Sequence, residues 1–331
     1  MKRIALVLLM SMIAAAFVFG GGGRDRAGVV NLTFSNVTSE SAARAAAVFK
    51  EVAERESGGT LYIIVHPDNQ LGNDADVIEG TRLGNIDIAV SSTSPLATIY
   101  PDFFLFDAPF LFLGTEEAWA GMAGPVGQQI LRGLEGIGFK GLAFWENGFR
   151  NFTNNRVPVR TPADVRGMTV RTMPNPVHLA AWNAFGANPT PMAFLEVFTA
   201  LQQGTIDAQE NPLGIIDANR FHEVQRYVSM TQHVYTPFVM VMNLRRFNAL
   251  TPQQQQAILR ATEASTQYQL RASQEIEQRI LRNFANVGVT VVHPTMAEKA
   301  QFQQIVIDQR INDQVRERMS NPQLLDQLVR R

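Results

Sequence analysis

Two arginines are the residues of this chain best suited to hold a small anion. Arg150 stands in Trp145-Glu146-Asn147-Gly148-Phe149-Arg150 and Arg171 in Met168-Thr169-Val170-Arg171, both among apolar or small residues. A buried cation without a partner is costly, so each needs an anion. The planar guanidinium fork matches a carboxylate with two parallel hydrogen bonds, which a lysine cannot supply. Two sources of that carboxylate stay open: an Asp or Glu elsewhere in the chain, or a bound organic acid. Asn211, in Gln209-Glu210-Asn211-Pro212, has an amide that can join the same anion or serve a turn. Glu146 and Glu210 are candidates to orient the arginines, or to act as general bases in an exported lyase or hydrolase.

Other chemistry is poorly represented. The five histidines (His66, His178, His222, His233 and His293) are scattered, and His222-Glu223 is followed by Val224, Gln225 and Arg226 with no second zinc ligand. The chain has no Ser nucleophile elbow, phosphate loop or dinucleotide fingerprint. Its lack of cysteine excludes disulfides, thiolate nucleophiles and Cys-ligated zinc. A net charge of −1 excludes strong non-specific attraction to nucleic acid. No metal set is placed and no cofactor is expected. With 331 residues, 46% of them hydrophobic and 18% charged, the chain reads as globular and two-domain.

The start of the chain gives an address. Lys2 and Arg3 precede an apolar run from Ile4 to Phe19, broken only by Ser11, the pattern of a secretory signal peptide. The run is shorter than the roughly 20 residues of a bilayer span, which disfavours a retained anchor. Val18-Phe19-Gly20 is a tolerable cleavage site, and Gly20 to Gly23 reads as a flexible junction. Residues 1–23 are thus assigned to export, without a cysteine for lipid attachment.

The arginines need a scaffold, and the hydrophobic pattern describes one. Asn31 to Val37 alternates like a half-buried strand, and Ser39 caps a helix to about Glu56. Leu61 to Val65 is β-rich, a helix runs from about Asp74 to Gly84, and Ile86 to Val90 reads as a strand. Thr161-Pro162-Ala163-Asp164 is a helix start, and Val170-Arg171-Thr172 a strand with its arginine near the C-terminal end, where ligands of open α/β sheets gather. Thr251-Pro252 caps a long helix toward Asn283, with Gln253 to Gln256 as a solvated face. Such alternation argues for an α/β chain of βαβ units. Leu83-Gly84-Asn85-Ile86-Asp87 is echoed by Gln203-Gly204-Thr205-Ile206-Asp207, about one small domain further on. The echo reflects either the common reuse of helix–Gly–strand turns or two lobes of similar build. Phe103, Phe104, Phe106, Phe110 and Phe112 are expected in the core of the first lobe. Trp145, Phe149 and Trp182 are candidates to line a pocket.

At these residues the sequence resembles the extracytoplasmic substrate-binding proteins of tripartite ATP-independent periplasmic (TRAP) transporters, the DctP-like family. The matching stretches run in order through nearly the whole mature chain. They are Asn69-Gln70-Leu71-Gly72, Phe106-Asp107-Ala108-Pro109-Phe110-Leu111-Phe112, Asn147-Gly148-Phe149-Arg150, Thr161 to Arg171, and Ala200 to Pro212. Asp107-Ala108 departs from the more apolar pair of relatives.

The resemblance implies a two-lobed periplasmic-binding-protein-like α/β fold with a cleft and a long hinge-spanning helix. Lobe I would comprise residues 28–148 and 237–276, lobe II residues 149–236 and 277–331, with the C-terminal helix able to pack back on lobe I. It implies binding without turnover: Arg171 as main carboxylate ligand, Asn211 as supporting amide, Arg150 nearby, and Asp74 and Ser92 lining the cleft from lobe I. Asn147 and Glu210 complete the expected ligand set. The implied partners are a small carboxylate-bearing ligand and the TRAP membrane permease subunits, and the chain is expected to be a periplasmic monomer. A binding protein for a sensor or an ATP-driven importer is the alternative within binding functions.

Overall fold

The computed structural model describes residues 28–329. The expected signal peptide and glycine junction, residues 1–23, lie outside the described residues. The first sheet contains β1 (Val30–Ser35), β2 (Leu61–His66), β3 (Ile88–Ser92), β4 (Phe139–Phe149) and β10 (Tyr235–Asn243), in the order β2-β1-β3-β10-β4. The second contains β5 (Asn151–Asn154), β6 (Thr169–Thr172), β7 (Asn188–Pro191), β8 (Ala208–Asn211), β9 (Tyr227–Ser229) and β11 (Thr290–Val292), in the order β11-β9-β5-β8-β6-β7. Each sheet anchors one lobe. The chain passes between them where β4 gives way to β5 at Arg150, where β9 leads into β10, and again between β10 and β11.

Strand β10 is buried along its whole length, as expected of a strand covered on both faces. Val239 and Val241 join one apolar cluster with Phe103, Phe106 and Phe144, whereas Phe238, Met240 and Met242 join a second with Phe34, Phe49 and Trp145. That alternation is the period-two geometry of a pleated strand. Four of the five phenylalanines expected in the core are buried, and Phe110 is half-buried with a φ of +56°.

The long helix is Pro252–Asn286, capped by Thr251, and at 1.5 Å per residue it is long enough to run past both sheets. Gln269 on this helix is buried and clamps β4. Its Oε1 accepts from the Glu146 N–H (2.8 Å), and its Nε2 donates to the Glu146 carbonyl (2.7 Å). Gln254 corrects the solvated face: it is buried and donates to the Thr60 carbonyl, leaving Gln253 and Gln256 exposed. After Thr161 the structure makes one turn of 3-10 helix, Pro162–Val165, because Gly167 (φ +72°) turns the chain at once into β6. The C-terminal segment packs on the stretch between β3 and β4: the Asn321 N–H and side-chain amide both donate to Asp102 (2.7 Å each).

The sequence echo is a structural equivalence. The helix Asp74–Leu83 ends on Gly84 (φ +90°), and the helix Val197–Gln202 ends just before Gly204 (φ +70°). Asn85 and Ile86 still bond the helix carbonyl of Gly80, so β3 begins two residues later than the apolar run suggests. Asp87 Oδ2 then accepts from the Thr33 N–H beside β3 (2.7 Å), and Asp207 Oδ2 from the Thr169 N–H beside β8 (2.8 Å). Arg246 pairs with Asp87 and Arg156 with Asp207, both at 3.0 Å. Each aspartate therefore sets the register of a parallel pair, β1 with β3 and β6 with β8.

Two stability outcomes follow. Asp87→Ala and Asp207→Ala each strip a strand N–H of its acceptor, and urea unfolding should show each losing about 1–3 kcal/mol. Glu146 is buried in β4, where the Tyr235 hydroxyl (2.5 Å) and the Trp119 indole N–H both donate to its Oε2. Burial raises its pKa to about 7 against those hydrogen bonds, and the nearby Glu277 pushes the same way. Between the ordinary value of 4.5 and pH 7 the folded state holds the extra proton, so stability falls as pH rises. From pH 5 to pH 7 this one group should remove about 2 kcal/mol, and Glu146→Gln should flatten that slope in urea titrations.

Candidate functional site

Between the lobes lies a cavity whose walls come from the C-terminal ends of the parallel strands. Val37 and Thr38 follow β1, Ser92 ends β3, Met173 and Pro174 follow β6, and Asn211 ends β8. Open α/β sheets place ligands at these ends because helix N-termini and loops converge there. The lobes touch across the cleft. Ser92 Oγ lies 3.7 Å from Met173 Sδ, Asn175 Nδ2 donates to Ser94 Oγ (2.9 Å), and the Leu195 N–H donates to Asn73 Oδ1 (3.3 Å).

Arg171, on β6, lines this cavity and is 1% exposed. Its Nε and Nη2 both donate to the Met192 carbonyl (3.0 and 2.7 Å), which fixes the plane of the guanidinium. Its Nη1 is buried and has no hydrogen-bond partner among the described residues. No carboxylate among them forms an ion pair with it. The Phe194 ring, 5.9 Å from Cζ, covers the guanidinium. Burial, and after it the charge of Arg150, lowers the pKa of Arg171 to about 10, against the opposing charges of Glu210, Asp74 and Glu196. It remains a cation at neutral pH, and the net shift places the cost of holding that charge here on the order of 3 kcal/mol.

Arg150 lines the same cavity and is equally buried, yet it has the protein acid that Arg171 lacks. Its Nε and Nη2 donate to both carboxylate oxygens of Glu210, and Nη2 also meets Asn211 Oδ1 (3.1 Å). His233 Nε2 lies 3.1 Å from Glu210 Oε2 and its Nδ1 2.9 Å from Thr231 Oγ1. Burial alone would raise the Glu210 carboxyl, but Arg150 and His233 overcome it and hold that carboxyl well below its usual range. Burial pushes the His233 ring down. Glu210 corrects the expected ligand set: it is fully buried behind Arg150 and does not line the cavity. Its role is to orient Arg150 and offset its charge.

The other expected residues converge. Asn211, Asn147, Asp74 and Ser92 all line the cavity. Asn211 donates its amide to Gln209 (2.6 Å), and Asn147 Oδ1 is buried with no partner among the described residues. Asp74 Oδ1 accepts from Ser91 Oγ (2.6 Å) and from the Ser92 N–H (3.0 Å). Glu146 does not line this cavity; it faces a second one with Glu277 and Phe149. The expected aromatics need a second correction. Trp145 and Trp182 are core residues, bonded to Thr266 and stacked near Phe152, and Phe238 and Phe194 are the rings that line the cleft. Asn69, outside the expected ligand set, also lines the cavity, and its positive φ (+55°) and its bonds from Thr38 mark a built turn at the wall. Asp107, the departure from the family pattern, is buried against His178 Nε2 (2.9 Å) and Asn175 Nδ2 (2.8 Å), an additional tie between the lobes.

Among the described residues no group of three or more His, Cys, Asp or Glu side chains could hold a metal ion. No helix among them is long and apolar enough to cross a membrane.

Known proteins share this architecture. Residues 34–312 match the family described as bacterial extracellular solute-binding protein, family 7 (DctP). The chain is 38% identical over 288 residues to the 2,3-diketo-L-gulonate-binding periplasmic protein YiaO of Escherichia coli K12, covering 86% of this chain and 88% of that one. It is 30% identical over 292 residues to the C4-dicarboxylate-binding periplasmic protein DctP of Rhodobacter capsulatus, covering 87% of each. The crystal structure of the sugar acid binding protein DctPAm from Advenella mimigardefordensis, in complex with galactonate, superposes with a TM-score of 0.87 at 32% identity, covering 91% of this chain and 97% of that chain. The two-lobed α/β fold, the cleft and the long helix are those of this group, whose members bind solutes for TRAP membrane permeases and are not enzymes. The chain belongs to the bacterial extracellular solute-binding proteins of family 7, the DctP family of TRAP transporters.

Proposed function

We propose that this protein, exported to the periplasm by residues 1–23, takes up an organic acid with Arg171 as the anchor of its carboxylate. Arg150, Asn211 and Asn147 complete the polar wall on that side, while Asp74 and Ser92 face it from lobe I. The observation that carries this reading is the buried guanidinium of Arg171, held in plane by the Met192 carbonyl but without a protein acid. A bound carboxylate supplies the missing anion, and a charge-assisted hydrogen bond in a desolvated site is stronger than its counterpart in water.

The lobes are taken as residues 28–148 with 237–276 and residues 149–236 with 277–331. Strand membership of the two sheets supports this division. An acid held by groups of both lobes binds their closed arrangement better than the open one, so it shifts the population toward closure. The closed molecule is then the form offered, as a monomer, to the permease.

Calorimetry against a panel of carboxylates tests the anchor. Arg171→Lys should lose about 2–5 kcal/mol of binding, as when one partner of a buried charge pair is changed. Unchanged affinity in that variant would remove Arg171 from the site. Arg171→Met abolishes binding and should leave the ligand-free protein more stable by about 1–3 kcal/mol in urea, because a buried, unpaired cation is replaced by an apolar side chain of similar reach.

A further inference from the structure

We propose that Asp74 sets the charge of the accepted solute: the cleft takes a monocarboxylate bearing hydroxyl groups and rejects a dicarboxylate. The inference rests on Arg171 as the carboxylate anchor and adds what stands opposite it.

The charged side chains lining the cavity are Arg171, Arg150 and Asp74. Glu210 offsets Arg150 through two buried hydrogen bonds, so one unmatched cation remains on the lobe II wall. Asp74 is the unmatched anion on the lobe I wall, since no ion pair among the described residues involves it. Its carboxylate is oriented through Oδ1 by Ser91 and Ser92, and Oδ2 takes no hydrogen bond among the described residues. The positive end of the helix Asp74–Leu83 offers little to a second anion, because Asp76 already accepts from the Asn73 N–H (3.1 Å). The neighbours of Asp74 on this wall, Asn69, Asn73, Thr38 and Ser92, are neutral hydrogen-bonding groups.

One carboxylate against Arg171 leaves this arrangement with one net negative charge. A second carboxylate would meet Asp74 in a water-poor cleft, where like charges repel far more strongly than in bulk water. A hydroxyl there donates to the free carboxylate oxygen, a charge-assisted bond. Family membership does not decide the matter, since relatives named for 2,3-diketo-L-gulonate and for C4-dicarboxylates are both similar to this chain.

Calorimetry with D-gluconate and D-glucuronate as one-charge probes, and succinate and L-malate as two-charge probes, tests the assignment. The expected result is that a one-charge probe binds about thirtyfold or more tightly than either two-charge probe, and that Asp74→Asn shrinks this ratio by about tenfold. Asn keeps the Oδ1 acceptor, and Asp74→Ser with a circular dichroism check guards against a variant that misfolds. Succinate or malate binding the unaltered protein as tightly as the sugar acids overturns the proposal, as does an unchanged ratio in both folded variants. If a two-charge probe is preferred and Arg171→Met still abolishes its binding, the anchor stands and only the assignment of Asp74 fails. If no probe binds, the anchor reading fails and takes this inference with it.

Discussion

A cation buried without an acid partner is the constraint from which the rest of this structure follows. The fold spends much of its lobe II wall on Arg171: Met192 supplies a carbonyl, Phe194 a ring face, and Arg150 stands close enough to press its charge. None of these cancels the charge. A protein selected for stability alone would place an Asp or Glu there, or an apolar side chain. In the proposed role, the unbalanced site makes the favourable electrostatics conditional on an anion from outside.

The neighbouring arginine shows the opposite solution. Arg150 carries a fully buried bidentate partner in Glu210, which His233 in turn holds. Two unpaired guanidinium groups in one desolvated cleft would repel each other, so the pairing of one allows the other to stay unpaired. Arg150 also stands where the chain crosses between the sheets. Its ion pair thus ties the crossover to β8, and the position of Asn211 at the end of that strand comes with it.

Similar lobes on either side of the crossover explain why the site can be assembled from so many short segments. Asp87 and Asp207 each fasten the start of one strand to the N–H of its parallel neighbour. The strands then run in register toward the cleft and deliver Ser92 on one side and Arg171 and Asn211 on the other. The sequence showed this as two helix–Gly–Ile-Asp echoes. What it could not show was the partner of each aspartate, which is a backbone group more than thirty residues away in either lobe.

Local chemistry was legible from the residues alone. The cap at Thr251, the helix start after Ser39, left-handed glycines at 84 and 204 and period-two alternation depend on neighbours close in the chain, and these elements form nearly where the pattern put them. So were the two arginines, because apolar surroundings are a property of composition. The tertiary structure alone decided which arginine is free and which is paired, that Glu210 lies behind the cavity, and that Phe194 and Phe238 rather than the tryptophans line it. Each of those outcomes depends on which side chains meet across long stretches of sequence. Desolvation, which makes the difference between a paired and an unpaired charge matter, exists only once the lobes have packed.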